Sequence, residues 1–141
     1  MENLSAVEES AQVYRQLAAK SLAANDLAAA YQHGERALEY ARKTGNRLEE
    51  GITHRVLGQI AGEQWPPDAP RAAEHLAQSR AILEELGNEY ELALTLTEEA
   101  ALLEGDALCE TLKRAREIFR RLGASVEAEG VQRLMAAFGC K

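Results

Sequence analysis

Residues 37–51 read ALEYARKTGNRLEEG, and residues 79–93 read SRAILEELGNEYELA. A third version, AREIFRRLGASVEAE, spans residues 115–129. Each segment begins with a small residue, has a glycine eight positions later, and has a glutamate four positions after the glycine. The glycines are Gly45, Gly87 and Gly123, separated by 42 and 36 residues. Self-similarity with this period predicts a chain made of repeated helix pairs.

The residues around these glycines predict where the helices end. A glycine can close a helix in the left-handed conformation, and a following Asn, Asp or Ser can cap the next helix. The chain offers such caps at Asp26, Asn46, Asp68, Asn88, Asp106 and Ser125. We predict seven helices, near residues 4–24, 26–44, 46–63, 68–86, 88–104, 106–122 and 125–138. Short joints favour antiparallel neighbours, and the one long interruption is WPPDAP at residues 65–70.

The composition limits the fold and function classes. Ala, Glu, Leu, Arg and Lys supply 81 of 141 residues, whereas Val and Ile together supply nine, so an all-α protein is expected and a β-sandwich or barrel is excluded. A net charge of −7 without a basic run argues against nucleic-acid binding. No apolar stretch is long enough to span a membrane. Two cysteines are too few for a disulfide framework, so the cytoplasm is the expected location. Cys109 is expected to pack between helices and Cys140 to be a frayed terminal thiol.

The helix pairs resemble the tetratricopeptide repeat (TPR) family, in the longer variety of roughly 40 residues found in bacterial regulatory proteins. The matching positions are Tyr14, Leu17, Ala18, Asn25–Asp26, Ala30 and Ala37–Leu38 in the first pair, Leu57–Gly58, Ala72 and Ser79 in the second, and Ala100, Gly105–Asp106 and Ala115 in the third. The resemblance implies one domain, residues 1–141, folded as an antiparallel helix-pair solenoid. About three repeats are expected, near residues 5–44, 46–86 and 88–122, followed by a capping helix near 125–138.

Two packing details follow from this alignment. Gly58 is expected to face the partner helix of its own repeat, where a larger side chain would push the helix axes apart. The last helix is expected to cover Leu112 and Phe119 with one apolar face. That face consists of Val131, Leu134, Met135 and Phe138.

The TPR resemblance also implies a function. In this family the first helices form a concave wall that binds peptides or helices, so a non-catalytic protein–protein interaction module is the leading hypothesis. The residues expected on that wall are Gln12, Arg15, Leu22, Ile52, Arg55, Gln59, Leu94, Thr97 and Arg133. The three arginines favour an acidic or amphipathic protein segment as partner. A regulatory fragment of a larger bacterial signalling or transcriptional regulator is an alternative, and self-association is left open.

A catalytic or metal-binding function has little support in the sequence. His33 and His75 are 42 residues apart, so they are expected at equivalent positions on the second helices of two successive repeats, about 10 Å apart and too far to share an ion. His54 is expected to be partly buried. Adjacent glutamates such as Glu49 and Glu50 point about 100° apart on a helix and do not converge. The sequence predicts no catalytic residue, no cofactor and no metal site, so a helical-bundle enzyme or metal carrier is the least favoured alternative.

Overall fold

The computed structural model describes the backbone from Leu4 to Lys141 and the side chains from Ser10 onward. Its described part is all-helical, with seven helices and no strand. The helices are α1 (Leu4–Ala23), α2 (Leu27–Thr44), α3 (Arg47–Glu63), α4 (Ala69–Leu86), α5 (Glu89–Ala100), α6 (Gly105–Arg121) and α7 (Ser125–Ala137). The prediction of an all-α chain with seven helices is confirmed.

Side-chain caps begin the helices at four of the predicted positions. The side chains of Asp26, Asn46 and Asn88 each accept a hydrogen bond from the backbone N–H three residues later, at 3.1–3.2 Å. Asp68 does the same for Arg71 at 3.2 Å. Gly45 closes α2 at φ 70°, a left-handed conformation that a side chain would strain. Local hydrogen bonding therefore places these joints where the sequence predicts them.

Two predicted caps are wrong. The residue before α6 is Glu104, whose side chain makes no capping bond, and Asp106 lies inside the first turn of the helix. Ser125 is the first residue of α7, while Ala124 occupies the cap position. Helix α5 also ends at Ala100, because the next backbone N–H groups bond three residues back and tighten the chain into a turn.

The chain separates into two compact units, Met1–Ile82 and Leu83–Lys141, with the division inside α4. In the first, unit 1, α1 packs against α2, α2 packs against α3, and α1 also contacts α3. Its core is small and aliphatic, consisting of Ala18, Ala30, Leu38, Val56, Leu57 and Ile60. The recurring small residues Ala37, Ser79 and Ala115 are all fully buried.

Two glycines let helices of unit 1 approach closely. A Cβ on Gly58 would lie 2.9 Å from Cγ of Leu76 and 3.3 Å from the carbonyl oxygen of Ala72, both in α4. A Cβ on Gly34 would lie 2.7 Å from Cδ2 of Leu57 in α3. The prediction that Gly58 faces the partner helix of its repeat is confirmed.

In the second unit, unit 2, α6 packs against both α5 and α7. Leu112 and Phe119 of α6 are buried in one cluster with Val131 and Met135 of α7, as the capping prediction requires. The other two residues of the predicted α7 face behave differently, because Leu134 and Phe138 are both exposed. The inner face of α7 is therefore narrower than predicted.

Cys109 and Cys140 form a disulfide, with Cα atoms 5.5 Å apart, so the expectation of two free thiols is wrong. The bond joins the first half of α6 to the residues after α7. Antiparallel packing of these helices brings together two positions that are nearly equidistant from the turn at Gly123. That symmetry is the sequence signal that could have revealed the pair.

Candidate functional site

The nine predicted groove residues fall into two sets, one in each unit. In unit 1, Gln12, Arg15 and Leu22 lie on α1, and Ile52, Arg55 and Gln59 lie on α3. These two helices contact each other directly, so the structure brings the six residues onto neighbouring elements. We call the outer side of α1 and α3 the first-helix surface of unit 1, defined by Gln12, Arg15, Arg55 and Gln59.

Arg15 is held by an ion pair within this surface. Its Nε donates to Oε2 of Glu49 at 2.6 Å, and its Nη2 donates to Oε1 of the same carboxylate at 3.2 Å. The two side chains are only 20% and 12% exposed. A paired, planar geometry of this kind is the strong form of the arginine–carboxylate interaction. Arg15 therefore fixes α1 against the first turn of α3, and a partner's carboxylate would have to compete with Glu49.

The other unit 1 members differ in their access to solvent. Arg55 and Gln59 are partly buried and each has an interaction partner in the chain, while Gln12 is exposed. Ile52 is buried, and Leu22 packs against the unit 1 core. Ile52 and Leu22 thus contribute mainly to folding, and the polar side chains form the first-helix surface of unit 1.

In unit 2 the predicted residues do not form a comparable polar surface. Leu94 on α5 packs against the unit 2 core. Thr97 donates its hydroxyl to the backbone carbonyl of Ala93 at 2.9 Å. Arg133 lies on α7, highly exposed, with a 3.8 Å contact to Glu129 on the same helix.

An imidazole pair that sequence analysis missed lies between α3 and α4. The Nδ1 atoms of His54 and His75 are 3.0 Å apart, and His54 is only 2% exposed. One ring must donate Nδ1–H to the unprotonated Nδ1 of the other, so the bond requires at least one neutral imidazole. The repeat period relates His33 to His75, but the residue in contact with His75 is His54. The segment WPPDAP lengthens the connection between α3 and α4, so the repeat period does not align His54 with His75.

The surroundings of the pair favour neutral imidazoles. Burial is the largest of the causes that lower the pKa of His54 to about 4; the neighbouring His75, Arg42 and Arg47 also lower it, and Glu50 opposes them. Burial and Arg71 likewise lower the pKa of His75. Cationic neighbours make this a poor place for an additional positive charge. The arrangement suits a buried hydrogen bond that joins α3 to α4.

The equivalent positions in the first repeat hold a second ring contact. Tyr14 of α1 stacks on His33 of α2, with ring centroids 6.1 Å apart, and on Tyr40 at 5.6 Å. The guanidinium of Arg36 lies over the Tyr14 ring, 5.6 Å from its centroid. Ring contacts thus recur between the two helices of the first and second pairs, with different residue types.

The remaining chemistry-bearing residues are distributed rather than convergent. Among the described residues, no three His, Cys, Asp or Glu side chains gather closely enough to hold a metal ion. Glu49 pairs with Arg15, and Glu50 pairs with Arg42 and Arg47. None of the described helices has both the length and the apolar character needed to cross a membrane.

No protein-family model, curated protein or solved structure matches this chain.

Proposed function

We propose that the chain is a TPR-like protein-binding module whose first helices bind an acidic or amphipathic segment of another protein. The observation that carries the proposal is the direct contact of α1 with α3, which puts Arg15, Arg55 and Gln59 on neighbouring first helices. The repeat pattern supports it, because the equivalent residues Ala37, Ser79 and Ala115 are all fully buried. Packing positions thus follow the period, while Arg55 and Gln59 on α3 are partly exposed.

Arg55 is the residue we expect to contribute most to binding. Arg55 is partly buried, and a guanidinium in a partly desolvated position binds a carboxylate more strongly than one at an open rim. Gln59 lies one helical turn further along α3 and can hydrogen-bond the backbone of a bound segment.

The cytoplasmic location expected from the sequence is part of the same proposal, and the disulfide weakens one of its supports. Disulfides persist in oxidising compartments and are rare in the cytosol. Trapping thiols in intact cells with an alkylating reagent separates the two cases. Alkylation of Cys109 and Cys140 supports the cytoplasm, whereas full protection of both supports an oxidising compartment.

Selection of binding peptides from a displayed random library tests the proposed function. We expect the selected peptides to contain Asp or Glu beside apolar residues and to bind Arg55→Glu at least tenfold more weakly than the wild type. Lys43→Glu on α2 is the matched control, because it changes the net charge by the same amount away from the first-helix surface. If both variants lose affinity equally, binding follows overall charge, and the proposal fails.

A second outcome would relocate the site. Trp65 is 92% exposed in the proline loop between α3 and α4. If Arg55→Glu binds the selected peptides normally while Trp65→Ala does not, the loop is the binding element and the first-helix surface is not.

A further inference from the structure

The outer face of α7 carries apolar side chains that its own chain leaves uncovered. Val126 is 78% exposed, Leu134 is 39% exposed and Phe138 is 57% exposed. The backbone N–H of Phe138 donates to the carbonyl of Leu134 at 3.0 Å, so helical spacing continues to Phe138. Together with Gly130 these residues follow an i, i+4 ridge, which we call the α7 ridge. The buried residues Ala128, Val131 and Met135 lie on the inner face.

Gly130 lies at the centre of the ridge, and no described residue packs against it. A Cβ added there would meet nothing within 4 Å, and its φ is not in the positive range that favours glycine. Glycine in a helix interior is less stable than alanine. Gly34 and Gly58, by contrast, are packed against leucines of neighbouring helices. A small residue in the middle of an exposed apolar ridge is suited to the close approach of another helix.

The charged flank of the ridge is complementary to itself. Glu129 and Arg133 are one turn apart, with side chains 72% and 80% exposed. Consider two α7 helices that cross antiparallel at Gly130, related by a two-fold axis. Glu129 of each helix then lies on the same flank as Arg133 of the other, offset by about 3 Å along the axis for a rise of about 1.5 Å per residue. The two Glu129 residues are also offset by about 3 Å and the two Arg133 residues by about 9 Å, so two close pairs of opposite charge outweigh one close pair of like charge.

We propose that the partner of the α7 ridge is a second copy of this chain. The two chains form a two-fold symmetric dimer in which Val126 of one packs against Leu134 of the other and the backbones approach at Gly130. The contact uses one helix of 13 residues from each chain, at the small end of specific interfaces, so association is reversible and depends on concentration. The Cys109–Cys140 disulfide ties the end of α7 to α6, which reduces the freedom lost on docking.

Sedimentation equilibrium over a range of protein concentrations, without reductant, tests the dimer. The wild-type mass should rise above the monomer value of 15.4 kDa as concentration increases. Val126→Glu should weaken association at least tenfold and leave the helical circular-dichroism signal unchanged, because the side chain is exposed. Val13→Glu, at a half-exposed valine of α1, is the matched control and should associate like the wild type. A wild type that stays monomeric throughout, or equal effects of the two variants, overturns the proposal.

Charge exchange tests the antiparallel geometry separately. Arg133→Glu makes the flank wholly acidic, and Glu129→Arg makes it wholly basic, so each variant alone should dimerise at least several-fold more weakly than the wild type. An equimolar mixture should form heterodimers, because the acidic flank then meets the basic one. A mixture that associates no better than either variant alone contradicts antiparallel pairing of α7.

Discussion

Replacement of Gly58 by leucine is expected to destabilise unit 1 by overpacking. The nearest atoms to an added Cβ belong to Leu76, at 2.9 and 3.1 Å, and to the backbone oxygen of Ala72, at 3.3 Å. Leu76 and Ala72 are both buried, so neither has solvent to move into. The backbone oxygen can move only if α4 itself moves. Leucine adds three further carbons to this contact, and the axes of α3 and α4 must separate to hold them.

The expected loss in the free energy of unfolding is about 1–3 kcal/mol, the range for extra carbon atoms forced into a packed core. An opposing gain comes from helix propensity, since glycine is about 0.8–1 kcal/mol less favourable than alanine inside a helix. Gly62 on the same helix isolates this gain, because a Cβ there meets nothing within 4 Å. Gly62→Ala should therefore leave stability unchanged or raise it by up to about 1 kcal/mol.

Urea denaturation followed by far-ultraviolet circular dichroism measures both variants against the wild type. Helix content is the appropriate probe, because the single tryptophan is almost fully exposed and its fluorescence reports little about packing. Overpacking of Gly58→Leu against α4 is refuted if this variant is as stable as the wild type. It is equally refuted if Gly62→Ala is destabilised as much as Gly58→Leu, since the effect would then not depend on the contact with α4.

Three further predictions concern the imidazole pair, the disulfide and a buried hydroxyl. The pKa of His54 is about 4 in the folded chain, below its ordinary 6.5, so unfolding takes up a proton at any pH between 4 and 6.5. The free energy of unfolding should therefore fall by up to about 3 kcal/mol as the pH drops from 6.5 toward 4. An NMR titration in which His54 of the folded chain is protonated near pH 6.5 would contradict this. Cys140→Ser opens a loop of 31 residues and should lower the free energy of unfolding by about 3–4 kcal/mol. Reductant should cause the same loss of stability in the wild type. If neither treatment lowers stability, the Cys109–Cys140 disulfide does not form in the protein. The Thr53 hydroxyl is fully buried and has no hydrogen-bond partner among the described residues, so Thr53→Val should raise the free energy of unfolding by about 1 kcal/mol. Thr95 is a buried threonine with an interaction partner, so Thr95→Val should lower it. Thermal melts in which both variants change stability in the same direction would contradict this difference.

Local patterns in the sequence are sufficient to predict the helices. Asn46 and Asn88 cap where a capping residue follows a left-handed glycine, because these hydrogen bonds involve only neighbouring residues. Packing of Gly58 against α4 was also predictable, since a small residue at a fixed repeat position reports a close helix crossing. These features depend on residue type and on the spacing of residues along the chain, and a single sequence contains both.

Contacts between helices were harder to predict where the register was uncertain. His54 meets His75 across the loop that contains Pro66 and Pro67, so counting from the repeat glycines gave no pairing for these rings. The Arg15–Glu49 ion pair depends on the rotamers of two long side chains, and the repeat pattern does not specify these rotamers. The buried face of α7 was predicted too wide for a related reason. An i, i+3, i+4 stripe of apolar residues does not reveal which edge of the helix its neighbour covers. Leu134 and Phe138 lie on the uncovered edge.

Chemical-shift mapping tests whether a protein segment binds along α1 and α3. Isotopically labelled wild-type chain is titrated with a selected acidic peptide, and backbone amide shifts are followed residue by residue. We expect the largest changes at Gln12, Arg55 and Gln59 and at their neighbours on α1 and α3. Changes confined to α2 and α4, or to the loop around Trp65, would contradict it.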